Sequence, residues 1–166
     1  MQAPPIHEYD VQLVTPDFHA RGRLNSIGYV LDFLNDPGRD ALILTQAHVA
    51  SLKPGGPIRA MSIPRLSVRK QEVALLYLLE EKARAQIRLL PRREPTILYT
   101  PLAILRGEIP LSAEARSEDM LATSSAVFII VTTAHVFFLT QLTAALPQQT
   151  DVLLVGRQHI QMYHPA

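Results

Sequence analysis

The stretch ILTQAHVASL (43–52) returns later in the chain as IIVTTAHVFFL (129–139), with Thr, Ala, His and Val in the same order. Two readings compete. Either the imidazoles form a paired chemical site, or one structural unit occurs twice and puts the same residue at the same structural place. The surroundings favour the second. VTPDFHARGRL (14–24) faces YTPLAILRGEI (99–109), sharing Thr-Pro and an Arg/Gly pair, and Thr15 lies 85 positions before Thr100 while His48 lies 87 before His135. A repeat with one small insertion accounts for both spacings. A period this long means a duplicated domain-sized unit, since solenoid repeats are much shorter. The join is expected near LLPRREP (89–95), where prolines flank an arginine pair. That gives a first β unit over residues 8–90 and a second over 95–164.

Within each unit, period and punctuation give the elements. Phe18, Ala20, Gly22 and Leu24 alternate with His19, Arg21 and Arg23, the period of a strand with one wet face. SIGYVLDFLNDPG (26–38) predicts a short helix, with Ser26 as N-cap, an apolar stripe of Val30, Leu31, Phe33 and Leu34, and Asn35-Asp36-Pro37-Gly38 as the stop. LSAEARSEDMLATS (111–124) fills the same slot in the second unit. An apolar strand follows each helix, over 41–44 and 126–131. In VALLYLLEEKARAQIRLL (73–90) two rules conflict: composition favours helix, while Ala83, Ala85, Ile87 and Leu89 alternate with Arg84, Gln86 and Arg88. Its partner DVLLVGRQHIQMY (151–163) carries Gly156 and reads as strand. The expectation is therefore a hairpin turning at residues 80–82, which puts Arg84 and Arg88 on one strand face.

The chain has 166 residues, 48% of them hydrophobic, a net charge of +1 and no cysteine. Length and apolar content suffice for one ordinary domain or two small β units that share a core. The balanced charge implies neither a globally basic nucleic-acid binder nor an acidic tail. Without cysteine there are no disulfides, thiolate metal sites or cysteine nucleophiles. MQAPPIHEYD (1–10) lacks the basic and apolar regions of a signal peptide, and a cytoplasmic location is the expectation. Residues 121–150 contain no charged side chain. Their β-branched run and central His135 nonetheless point to buried strands, with no membrane contact.

No catalytic, cofactor or metal signature emerges. His48, His135 and His159 lack the His-x-His or His-x-x-x-His spacing of a metal site. Glu80/Glu81 and Glu118/Asp119 are adjacent pairs, which diverge on a strand and on a helix alike. There is neither a Gly-x-Ser-x-Gly elbow nor a phosphate loop. The basic centre carries the strongest functional signal: residues 65–93 hold eight Arg and Lys against three Glu. Arg65, Arg69, Lys70, Arg84 and Arg88 are the candidates for contact with nucleic acid or an acidic partner.

RGRLNSIGYVLDFLNDPGRDALILTQAHV (21–49) resembles the first signature of the Sm-like small β-barrels, and VLLVGRQHIQMY (152–163) is similar to their second. The layout also resembles uncharacterised bacterial proteins built from a duplicated unit of this kind. The resemblance implies a fold rather than ligand residues. The expected fold is mainly β with short helices: two tandem ββαββ units forming Sm/SH3-like barrels or one shared sandwich. Their interface should be apolar, because strands such as 127–131 and 136–139 need a cover from the first unit or a second chain. The expected function is a non-catalytic interaction or assembly module, not an enzyme, whose partner is another protein or a second copy. An Sm-like nucleic-acid-binding protein using the basic face and a small-ligand-binding barrel are the alternatives.

Overall fold

The computed structural model describes residues 2–166. Tight turns at Thr15–Pro16 and Thr100–Pro101 join the first two strands of each half in the same way: the Thr15 N–H donates to the Phe18 carbonyl and the Thr100 N–H to the Ala103 carbonyl. The first half consists of β1 (Ile6–Val14), β2 (Phe18–Ile27), α1 (Val30–Asn35), β3 (Ala41–Ser51), β4 (Met61–Arg69) and β5 (Leu75–Leu78). After α2 (Glu81–Ala85) come β6 (Arg92–Tyr99), β7 (Ala103–Leu111), α3 (Ser117–Thr123), β8 (Phe128–Phe138), β9 (Gln149–Gly156) and β10 (Met162–Pro165). One-turn 3-10 helices at Lys70–Glu72 and Arg157–His159 precede β5 and β10. Among the described residues all strands join one antiparallel sheet, in the order β10-β6-β7-β8-β9-β5-β1-β2-β3-β4. The first half therefore runs β5-β1-β2-β3-β4 and the second β10-β6-β7-β8-β9.

Among the described residues the expected barrels do not close, and no second sheet completes a sandwich. To close on itself the first half would need β4 to pair with β5, and the second would need β9 to pair with β10. Instead β5 pairs with β9, Leu75 opposite Val155 and Leu76 opposite Leu154. That seam uses both strands' free edges and leaves β4 and β10 as the borders of an open sheet. Each half also ends on a fifth short strand that the ββαββ reading lacks.

The seam explains the continuous apolar runs of 74–79 and 152–155. Leu76 and Leu78 of β5 enter the core of the first half with Leu154 and Val152 of β9. Leu75 and Tyr77 turn the other way, into the core of the second half with Leu153 and Val155. A strand buried on both faces has no wet side, so the polar alternation disappears. Phe128 likewise packs in the first core while Ile129 and Val131 pack in the second, so the run 127–131 is covered within the chain. The later run is only half covered: Val136 is buried but Phe137 is 58% exposed.

Residues 80–89 differ from expectation. The hairpin is absent, and Arg84 lies on α2 rather than on a strand. Ala83 and Ile87, four apart, are both buried against the first core, which is the spacing of a helical face. Over so few residues that spacing also satisfies alternation.

The Thr-x-Ala-His repeat is a β-bulge. Gln46 and Thr133 adopt φ of 50° and 49°, and the ladder register shifts beside them, between Arg21 and Arg23 and between Arg106 and Glu108. Gly22 and Gly107 sit opposite. A Cβ on Gly22 would lie 3.0 Å from the Thr45 carbonyl oxygen, and one on Gly107 would lie 2.4 Å from Val131 Cγ1. Ala47 and Ala134 are buried beneath the bulge. Thr132 Oγ1 donates to the Glu108 carbonyl, 3.1 Å away. Thr, Ala and the facing Gly are thus what the bend requires.

Candidate functional site

β4 is a border strand with one wet and one greasy side. Leu66 and Val68 pack against the first core, while Arg65, Ser67 and Arg69 are on the alternate, outward positions. Pro64 faces Gln46, the left-handed residue of β3, at the gap in the ladder between the paired positions Thr45–Arg65 and Ala47–Ile63, a place that tolerates a residue without an N–H. The Lys70 N–H donates to the Asp40 carbonyl. Because inward and outward N–H groups alternate along an antiparallel strand, those of Ser67 and Arg69 face the open side.

Beside this edge lies a groove of about 320 Å³, lined by apolar residues that include Leu13, Ala20, Val49, Leu66 and Val68. His19 also lines it. Its Nδ1 is buried without a hydrogen-bond partner, and burial pushes its pKa down. Registers identify the matching surface in the second half. Leu13 pairs with Ala20 as Leu98 pairs with Leu105, Ala20 with Val49 as Leu105 with Val136, and Leu44 with Leu66 as Val131 with Leu153. There, Leu98, Leu105, Val136 and Leu153 share one buried cluster with Leu75 and Tyr77. What β5 fills in the second half is an open groove in the first.

The five basic candidates do not form one face. Lys70, 1% exposed, is buried and donates from Nζ to the Asp36 carbonyl at 2.8 Å, tying down the end of α1. Burial lowers its pKa, opposed by Asp36 and Asp40. Arg84 donates to the Leu78 carbonyl and pairs with Asp151 across the seam. The Arg88 guanidinium lies over the Tyr29 ring, 4.2 Å from its centroid. Only Arg65 and Arg69 remain together, both exposed and on the same side of β4, and neither is in an ion pair among the described residues.

The histidines are likewise dispersed. His48 and His135 stand opposite Arg21 and Arg106 on β3 and β8, and His48 Nδ1 meets Ser62 Oγ at 3.1 Å. His159 is on the second 3-10 turn, its Nε2 2.8 Å from the Gln71 carbonyl across the seam. Among the described residues no group of three His, Cys, Asp or Glu is placed to hold a metal, and no helix is long and apolar enough to cross a membrane.

The groove escaped sequence reading, although a signal was present. Where β9 carries Val152, Leu154 and Gly156, the matching positions of β4 carry Arg65, Ser67 and Arg69. A comparison of the two halves at those positions marks β4 as the strand whose outer face meets water. A scan against protein-family models and searches of curated proteins and of solved structures each give no match.

Proposed function

We propose that the chain is a non-catalytic interaction module built from a duplicated β unit. In this reading each half is a small unit of the Sm-like kind, opened where the two meet. The observation that carries it is the groove beside β4: its counterpart is filled by Leu75 and Tyr77 of a neighbouring strand, while no strand of this chain covers the groove itself among the described residues, and it lies beside outward N–H groups. Sheet edges of this type recognise partners by main-chain pairing, with side-chain pockets supplying selectivity. Binding rather than catalysis is supported by the lack of convergence among the titratable side chains around the groove: Asp17, His19, Arg69 and Glu72 line it, and among the described residues no side-chain hydrogen bond or ion pair joins any two of them.

Affinity capture from the source cell with wild-type protein and with Ser67→Pro tests the reading. The substitution removes an outward N–H while sparing the ladder to β3. Proteins held by the wild type and lost with the variant are expected. Retention of nucleic acid, or capture indifferent to Ser67→Pro, would overturn the reading.

A further inference from the structure

We propose that β4 accepts an acidic extended segment of a different protein as an additional strand, with apolar side chains at two alternate positions seated in the groove and carboxylates facing Arg65 and Arg69. The inference rests on the interaction-module reading and names the partner's chemistry.

The seam between β5 and β9 is the template. β5 pairs through Leu75 and Leu76 and drives Leu75 and Tyr77 into the second core. The strand that adds to β4 therefore needs an aliphatic and an aromatic side chain two residues apart, since alternate residues face the same way. Apolar side chains, Leu13, Phe18, Ala20, Val49, Leu66 and Val68, supply most of the groove wall, with Asp17 and Glu72 as well as His19 and Arg69 at it, so the residues that enter it are apolar rather than acidic.

The other face of that strand differs from the template. On β9 the outward positions are Val152, Leu154 and Gly156, and Val152 and Leu154 pack into the first core. On β4 they are Arg65, Ser67 and Arg69. Carboxylates at the intervening positions of the partner would sit beside two guanidinium groups that form no ion pair among the described residues, the arrangement that gives charge-assisted pairing across strands.

The same residues reject a second copy. Its matching strand is β10, with Met162 and His164 in place of Leu75 and Tyr77. At the seam, a Cβ on Gly156 would lie 2.0 Å from the Val73 carbonyl oxygen, which is brought close by the 3-10 turn that precedes β5. β10 follows the same kind of turn. A copy docked in the seam geometry would drive a carbonyl into the Cβ of Arg69 and press both arginines, without carboxylates, onto an apolar core. A plain strand that runs straight past Arg69 brings no such carbonyl.

The test is fluorescence anisotropy with a short, blocked, labelled peptide that alternates aspartate or glutamate with leucine and tyrosine, against the full chain. Saturable binding is expected. It should weaken roughly tenfold or more with Arg65→Glu combined with Arg69→Glu, and weaken also with Ser67→Pro. A peptide with lysine in place of the acids should bind at least tenfold more weakly than the acidic one. Equal binding of the two peptides, binding unchanged by the arginine reversals, or a protein mass in light scattering that doubles with concentration without peptide would overturn the proposal. If the peptide fails while capture stays sensitive to Ser67→Pro, the partner chemistry is wrong and the module reading stands. If both fail, the module reading falls too.

Discussion

Replacing Gly156 by alanine isolates the join between the halves. The backbone there has φ of −62° and ψ of 114°, which any residue adopts, so the substitution brings no conformational strain. By the unfolded-state argument alone, Ala for Gly at a compatible site should stabilise by about 0.4–1 kcal/mol. The seam reverses that sign. The added Cβ would sit 2.0 Å from the Val73 carbonyl oxygen, far inside contact distance, so β5 and β9 must separate. The bond from the Gly156 N–H to the Ala74 carbonyl, 2.8 Å long, is then lost, along with some packing of Leu75, Leu76, Leu154 and Val155. Overpacking costs about 1–3 kcal/mol and a net hydrogen bond about 1 kcal/mol. Less the gain through the unfolded state, their sum leaves a destabilisation of about 1–3.6 kcal/mol. For a chain of this size that lowers the melting temperature by roughly 2–14 °C. Urea denaturation followed by far-UV circular dichroism measures it. A variant as stable as wild type, or more stable, would refute the reasoning, because it would mean that no carbonyl lies against that glycine.

Three further outcomes follow from the same contacts. Lys70→Ala removes the buried donor to the Asp36 carbonyl and should cost about 2 kcal/mol, read as a lower urea midpoint; an unchanged midpoint would show that the end of α1 does not depend on it. Asn35 spans the halves, with Oδ1 accepting from the Phe128 N–H at 2.8 Å and Nδ2 donating to the Phe128 carbonyl at 3.3 Å. Asn35→Ala should therefore destabilise by about 1–3 kcal/mol, and Asn35→Asp, which keeps only the acceptor, should also destabilise. Acidification should weaken the fold in two windows. Burial holds the His19 pKa below its ordinary 6.5, so the unfolded chain binds that proton first and stability falls as pH drops below 6.5. The Lys82 hydrogen bond, with the Asp10 N–H, holds Glu80 below its ordinary 4.5, so its contribution is present above 4.5 and is lost as pH falls further. Urea midpoints across that range, with His19→Gln flattening the upper window, check this; stability that rises on acidification would contradict it.

Much of the strand layout was legible because wet-faced strands alternate. β2, with Ala20, Gly22 and Leu24 inward, is read directly from its period. The two Thr-x-Ala-His stretches stand out in the sequence through their histidines. The structural demand comes from Gly22 and Gly107, which face the bulges, and from the small Ala47 and Ala134 beneath them. Local pattern could not reveal the seam, because β5 and β9 lie far apart in the chain and a doubly buried strand looks like any short apolar run. It failed on α2 for a related reason: Ala83 and Ile87 satisfy a helical face and a strand face equally. The basic cluster is dense in sequence yet spread over β4, a 3-10 turn, α2 and the segment after it. Proximity along the chain therefore overstated proximity in space, and only Arg65 and Arg69 stay on one edge.

The central claim is that β5 and β9 are locked together while the matching border of β4 is open. Native-state amide exchange of the isolated protein measures both at once. Leu154 and Gly156 should exchange only with global unfolding, and Ser67 and Arg69, at the matching places on β4, should exchange orders of magnitude faster. Protection at Ser67 equal to that at Leu154, or rapid exchange at Gly156, would contradict the account.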